Sequence, residues 1–193
     1  GPVAQDRLYF MGDGGAPKMR VGGTDYALAL YGRDGVENAC LALQDAGLSI
    51  NRVLCCLWLG QQAGRQLRLS DLAAADSWQQ AVTQPLRAVR YRVRGYKLES
   101  DDYQPCYSAL RKAELACEQV ELALMSEMAH ALPSAGAGVK LALENLACYL
   151  NACTLKDDQT VRTALTTVVA ACFDRVPDAE LNRLFTALKT KDV

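Results

Sequence analysis

The chain has 193 residues, of which 50 % are hydrophobic and 22 % charged, and its formal net charge is −1 at pH 7. This length supports one good hydrophobic core, with room for an appendage. The longest apolar run, 53-59, is far shorter than the ~20 residues that span a bilayer, and the near-neutral charge excludes a global attraction to nucleic acid or anionic lipid.

The eight cysteines are best interpreted as buried, reduced thiols. Six of them lie among Leu, Ala and Val in a helical pattern, where a free thiol behaves as a small hydrophobe: Cys40, Cys55, Cys117, Cys148, Cys153 and Cys172. Neither CxxC nor HxxxH occurs, and the first twenty residues lack the apolar core of a signal peptide. We therefore predict a cytoplasmic protein that holds no metal or cofactor.

The glycine-rich segment 1-23 is predicted to be a flexible tail, with Gly1-Pro2 as the remnant of a cleaved tag. Thr24 is predicted to cap a first short helix that passes through Leu30 and ends at Gly32. No alternation of apolar and polar residues predicts a strand here.

The next segment predicts a capped helix of about a dozen residues. Asp34 and Glu37 have the spacing of a capping box, in which each side chain satisfies a backbone amide at the helix start. Gly47 suits the left-handed position just past the helix end.

Ser49 is predicted to cap a second and very apolar helix, which Gly60 or Gly64 ends. A helix that is apolar on nearly every side is usually buried on nearly every side. Because so few residues separate the two helices, the sequence predicts the central hairpin of a helical domain.

A further helix is predicted to begin at Ser70 and to kink or restart at Pro85, whose ring nitrogen has no hydrogen to donate. The restarted segment 85-97 carries five positive charges and no acid: Arg87, Arg90, Arg92, Arg94 and Lys97. Leu86, Val89 and Val93 recur at helical spacing, so the sequence predicts one packed face and a separate stripe of arginines.

That basic segment is the predicted binding surface. We expect it to bind an acidic partner, either nucleic-acid phosphate or protein carboxylates, with Tyr91 and Tyr96 able to stack or to donate hydrogen bonds. The alternative is a solvated helix face that pairs with the acidic run 99-102 immediately after it.

A long helix is predicted from residue 102 or 103 to Leu132. The residues predicted to face the core are Leu110, Cys117, Val120, Leu124 and Met128, and those predicted on other faces are Arg111, Lys112, Glu114, Glu118 and Glu121. Glu127 and His130 have the spacing of a di-iron half-site, but His130 is the only histidine, so one subunit cannot complete such a site.

The segment 133-138 is predicted to be a linker or loop that precedes three amphipathic helices, at 139-153, 161-173 and 178-189. These helices could pack on the preceding bundle or on another copy of the chain. The predicted domains are thus the tail 1-23, a helical domain 24-132 and a helical extension 133-193.

Three segments carry a family resemblance: ALALYGRDGVENACLALQDAGLSINRVLCCLWLG, QPLRAVRYRVRG and KAELACEQVELALM. Over residues 26-128 the chain resembles an uncharacterised family of gammaproteobacterial conserved hypothetical proteins, which have a helical domain of unknown function. The resemblance implies an all-α domain and supplies no catalytic residues. The glycine-rich start and the region after Pro133 lie outside it.

The predicted fold is an all-α bundle of about seven to eight helices with an amphipathic helical C-terminal extension. We predict a non-enzymatic interaction or regulatory protein with an unidentified protein partner, and a homodimer stays open. The alternative is a nucleic-acid or ribosome-associated factor that uses 85-97. A weaker alternative is a helical enzyme or metal protein, although no residue pattern marks a catalytic or metal site.

Overall fold

The computed structural model describes residues 20-21, 24-25, 30, 32-155 and 158-189. Its helices are α1 (Val36–Asp45), α2 (Ile50–Trp58), α3 (Ala73–Trp78), α4 (Gln84–Lys97), α5 (Gln104–Ala129), α6 (Val139–Ala152), α7 (Gln159–Cys172) and α8 (Asp178–Lys189). Two π-helical turns, Leu59–Ala63 and Gln79–Thr83, extend α2 and α3, and 3-10 turns cover Leu69–Leu72 and Asp101–Tyr103. The predicted all-α fold is confirmed. No described helix is long and apolar enough to cross a membrane.

A two-residue antiparallel ladder precedes the helices. It pairs β1 (Arg20–Val21) with β2 (Thr24–Asp25). The prediction that Thr24 caps a helix is therefore wrong. Most of the predicted tail, and residues 26-29 of the predicted first helix, lie outside the described residues.

The ends of α1 are set by two glycines. Gly35 is the N-cap residue with φ 79°, and no side chain caps this end, so the predicted capping box at Asp34 is wrong. The predicted end is confirmed, because Gly47 has φ 100° and the Leu48 N–H donates to the Leu43 carbonyl at 3.0 Å. These positions suit glycine because side chains disfavour positive φ.

The boundaries of α2 follow the sequence. The Ser49 side chain accepts a hydrogen bond from the Arg52 N–H at 3.4 Å, as predicted. The helix continues through the π-helical turn and ends at Gly64, where φ is 62° and the Arg65 N–H donates to the Leu59 carbonyl at 2.9 Å. Of the two predicted ends, Gly64 is the observed one.

Two features of the predicted helix that starts at Ser70 can be compared with the structure. Ser70 lies inside the 3-10 turn, and Asp71 bonds back to the Arg68 N–H at 3.0 Å, so the prediction that Ser70 caps this helix is wrong. The predicted irregularity at Pro85 is confirmed, since the π-helical turn Gln79–Thr83 precedes it and α4 carries Pro85 in its first turn.

One hydrophobic core joins the N-terminal and C-terminal helices. In it α7 packs on α1, while α6 packs on both α2 and α8. Gly60 permits the closest approach, because a Cβ there would lie 2.2 Å from the Ala142 Cα. The C-terminal helices thus pack on the preceding bundle, whereas the predicted domain boundaries stay a prediction.

Helix α4 is packed differently from the others. Its main neighbours among the described residues are α5 and the short turns at its two ends. The core contains no buried residue between Ala75 and Leu122 in this fully described stretch. We call α4, the turn Asp101–Tyr103 and the facing part of α5 the α4–α5 hairpin.

Candidate functional site

Helix α5 buries a row of glutamates. Glu114, Glu118 and Glu121 are only 1 %, 7 % and 2 % exposed, and their spacing places them on one helix face. As predicted, they lie outside the hydrophobic core, but they are buried nonetheless. The prediction that Val120 faces the core is wrong, because Val120 is 39 % exposed. Burial of a carboxylate requires a compensating partner.

At the end of the glutamate row that faces α4, the charge partners are arginines. Arg87 donates from Nε to Glu114 Oε1 at 2.7 Å and from Nη2 to Glu118 Oε1 at 2.8 Å. Arg90, itself 6 % exposed, donates to both oxygens of Glu114. Arg111 adds a longer ion pair to Glu114 at 3.5 Å. Glu114 is therefore the acceptor shared by three guanidinium groups.

At the other end of the glutamate row, the neighbouring charged residues belong to α2 and α3. Arg52, which is 6 % exposed, donates from Nε to Glu121 Oε1 at 3.0 Å and from Nη1 to Asp76. The eight charged residues form two groups of ion pairs along one face of α5, and we call the two groups together the ion-pair ladder: Arg52, Asp76 and Glu121 in one, and Arg87, Arg90, Arg111, Glu114 and Glu118 in the other. Together they connect α2, α3 and α4 to α5.

The three glutamates of the ladder have different environments. Burial raises the pKa of Glu118 to about 7, since Arg87 offsets only part of the desolvation. Burial also raises the pKa of Glu121 despite its contact with Arg52. Burial acts in the same sense on Glu114, but its hydrogen bonds from Arg90 and Arg87 outweigh it and lower the Glu114 pKa.

The ladder forms a wall of a polar cleft of about 1010 Å³. Residues of the α1–α2 connection, α2, α3, α4, α5 and the end of α6 complete the lining. Among the residues that line it, several have a buried polar atom with no hydrogen-bond partner in the described part of the chain, including Asn51 Oδ1, Arg52 Nη2, Arg111 Nη2 and Glu118 Oε2. Such atoms are rare in folded proteins and call for an explanation.

Some of the predicted binding residues line the cleft, and the others do not. Arg87, Arg90 and Tyr91 line the cleft. The others do not line it: Arg92, Arg94, Tyr96 and Lys97. No described ion pair joins the basic residues to the acidic run 99-102, so the arginines that are paired use α5 instead. Binding of an acidic partner by this set stays a prediction.

Sequence reasoning missed the cleft because its residues come from distant segments. Arg52 interrupts the most apolar predicted helix, and the row of glutamates on α5 has helical spacing. The indication available in the sequence was that arginines recur on one predicted helix and glutamates recur on the next. Pairing them would have required knowing which faces meet.

The described residues offer no metal centre, since no three of their His, Cys, Asp and Glu side chains are grouped to hold an ion. All eight cysteines are free. Burial raises the pKa of the Cys40 and Cys55 thiols to about 12, which keeps them protonated and poorly nucleophilic at neutral pH.

Fold and site together define an all-α protein with a charged cleft between a compact bundle and the α4–α5 hairpin. Residues 25–125 match the model of a family described as "Protein of unknown function (DUF2390)", and the chain belongs to this family. The predicted resemblance to a family with a domain of unknown function is confirmed, while its gammaproteobacterial origin stays a prediction. No curated protein and no solved structure matches the chain. The entire ion-pair ladder lies within the matched segment.

Proposed function

We propose that this protein is a non-enzymatic interaction module of the cytoplasm, in which the outer face of α4 binds an acidic segment of a partner protein. The observation that carries the proposal is the concentration of exposed apolar and aromatic side chains on the α4–α5 hairpin. Five of the seven large hydrophobic residues that are exposed in the described chain lie on α4 or just after it: Val89, Tyr91, Tyr96, Leu98 and Tyr103.

These exposed residues lie on or just after the same helix as the basic residues of α4 that are not part of the ion-pair ladder. Val89, Arg92 and Tyr96 follow one another at helical spacing on one stripe, and Arg92 is exposed. No ion pair of Arg92 or Arg94 is present among the described residues. A surface that combines tyrosines with unpaired arginines is typical of protein interfaces. We call this stripe and the neighbouring exposed residues of α4 the outer face.

Charge favours a protein partner over nucleic acid. Arg87 and Arg90 are already neutralised by α5, which leaves three basic residues on α4. Glu99, Asp101 and Asp102 follow at the exposed tip and would repel phosphates. A polyanion binds through many phosphate contacts, whereas a short acidic segment needs only a few charges.

The ion-pair ladder supports this role by orienting α4. The helix has no buried residue in the hydrophobic core, so its paired arginines determine how it lies along α5. In some proteins buried ion pairs define one arrangement of the helices rather than add net stability, and we propose that the ladder does so here. The eight free thiols support a reducing compartment.

The proposal is tested by affinity capture from the native cell extract followed by direct binding measurements. The parent protein is compared with the double variant Arg92→Glu/Tyr96→Ala, which reverses a charge and removes a ring on the outer face. The matched control is Arg183→Glu, which changes another exposed arginine, on α8. We expect an acidic protein that is captured by the parent and the control and lost with the double variant.

The captured protein must then bind the purified parent directly, with an affinity that falls as salt is added. A photo-crosslinker placed at Val89, which is exposed and does not line the cleft, should label it. Retention of the same protein by the double variant would refute the proposal. Recovery of nuclease-sensitive material instead of protein would replace it with the nucleic-acid alternative, and recovery of the chain itself would replace it with a homodimer.

A further inference from the structure

We infer that the π-helical turn Gln79–Thr83 and α4 open away from α5 while the hydrophobic core stays folded, and that ionisation of Glu118 promotes this opening. We call the opening segment, 79-97, the α4 arm. This inference concerns the chain alone and is independent of the partner proposed for the outer face of α4.

The α4 arm lies outside the hydrophobic core. The core contains no buried residue between Ala75 and Leu122, a stretch that is described throughout. The two buried residues of the arm are both polar, Thr83 and Arg90. A segment with few buried apolar contacts opens at a lower free energy than the whole fold. The arm is therefore the segment that we expect to separate first.

Ion pairs connect the arm to α5. Arg87 donates to Glu114 at 2.7 Å and to Glu118 at 2.8 Å, and Arg90 donates to Glu114. All of these carboxylates are buried. Opening returns the charged groups to water, so the hydration that they regain offsets much of the pairing that they lose.

Glu118 is the glutamate of the arm contact with the weakest compensation. Its Oε1 accepts a hydrogen bond from Arg87, which also donates to Glu114, and its Oε2 has no hydrogen-bond partner among the described residues. A buried carboxylate with so few donors is disfavoured in its charged form. Ionised Glu118 thus favours the open arm, where water solvates it, and neutral Glu118 favours the closed arm.

The other charged groups around Glu118 do not remove this imbalance. They are Arg87 on α4, Arg111, Glu114 and Glu121 on α5, Arg52 on α2 and Asp76 on α3. Glu114 and Glu121 oppose the ionisation of Glu118, whereas Arg87 and Arg111 favour it. Arg52 pairs with Glu121 and Asp76 instead.

The sign and size of the pH effect follow from proton binding. Burial raises the pKa of Glu118 in the closed form from its ordinary value of 4.5 to about 7. The closed form therefore binds the proton more tightly than the open form, and the opening equilibrium constant increases as pH rises. Between pH 6 and pH 8 these two pKa values give an increase of about tenfold.

The native cysteines allow this opening to be measured on the full chain. Cys117 is buried on α5 next to Thr83 of the arm, and it is not part of the hydrophobic core. Cys106 is exposed on the same helix and gives the intrinsic reactivity of a thiol at each pH. Cys55 lies in the core and reports unfolding of the whole chain.

The test is labelling by N-ethylmaleimide at pH 6, 7 and 8, with the rate at each cysteine measured by peptide mass spectrometry. The reagent is kept in the range where rates are proportional to its concentration, so that they report the opening equilibrium. We expect Cys117 to react faster than Cys55 at every pH. The ratio of the Cys117 rate to the Cys106 rate should rise about tenfold between pH 6 and pH 8.

Two variants assign the pH dependence to Glu118. Glu118→Gln keeps the side chain neutral and should remove most of the rise in the Cys117 to Cys106 ratio. Glu127→Gln changes an exposed glutamate near the other end of α5 and should leave the rise unchanged.

Three results would overturn the inference. They are a Cys117 to Cys106 ratio that stays constant with pH in the parent, labelling of Cys117 only at the rate of Cys55, and a full rise that persists in Glu118→Gln. The first two are measured on the parent protein, so they decide the question even if Glu118→Gln fails to fold.

Discussion

Replacing Glu118 by Gln should make this protein more stable at pH 8 and nearly unchanged at pH 4. Glu118 is 7 % exposed, and its Oε1 accepts a hydrogen bond from Arg87 at 2.8 Å while its Oε2 has no partner. Glutamine has nearly the same shape as the protonated acid and keeps an oxygen for Arg87. The variant therefore mimics the neutral form of the side chain at every pH.

The magnitude follows from the raised pKa. Burial raises the pKa of Glu118 from its ordinary value of 4.5 to about 7. Below pH 4.5 the carboxyl group is protonated in both the folded and unfolded states, so it causes no pH dependence. Between these values the folded state binds more protons than the unfolded state, so the free energy of unfolding decreases as pH rises. Above pH 7 the accumulated loss is complete and amounts to about 3 kcal/mol.

The assay is urea unfolding at several pH values between 4 and 8. Trp78 reports the transition, because its indole N–H donates to the Cys117 carbonyl and so connects α3 to α5. The parent should lose stability as pH rises through this window, and Glu118→Gln should lose about 3 kcal/mol less of it.

The matched control is Glu127→Gln, an exposed glutamate on the same helix. It should leave the parent's pH dependence in place. If Glu118→Gln shows the same decline as the parent between pH 5 and pH 8, then Glu118 is not a proton-binding site of the folded state. The reasoning from its burial would then be refuted.

Five further substitutions, two of them controls, test the packing, the ladder and the helix caps, each by urea unfolding. Gly60→Ala should cost at least about 2 kcal/mol because the new Cβ would lie 2.2 Å from the α6 backbone, whereas Gly95→Ala, with nothing within 4 Å, should stabilise α4 by up to about 1 kcal/mol. Glu114→Gln should cost about 3 kcal/mol, since three arginines lose their shared carboxylate, and a loss below about 1 kcal/mol would contradict the ladder. Asp158→Ala should cost about 1 kcal/mol because its carboxylate accepts the Val161 N–H at 2.8 Å, while Asp34→Ala should change little, and equal effects would argue against the observed caps.

Local chemistry explains what could be predicted about the helices. The predicted bounds of α8, 178-189, agree with the observed helix, and Ser49 and Gly47 take their predicted capping positions. Each of these features depends on residues within one or two turns, which the sequence displays directly. The failed caps at Asp34 and Ser70 lie beside residues that provide another local solution, such as Gly35 with its positive φ.

The cleft could not be predicted in the same way, because its geometry depends on contacts between distant segments. Arg87 and Glu114 are 27 positions apart, and Arg52 and Glu121 are 69 positions apart. A single sequence gives the face on which each charge lies but not the face that it meets.

The sequence by itself determined the all-α class, most helix boundaries and the positions of the basic residues. Only the tertiary structure decided which charges are buried. A glutamate row at helical spacing is normally solvated, and it becomes an interior face only where arginines from other elements compensate its desolvation. That pairing separates Arg87 and Arg90 from the outer face of α4.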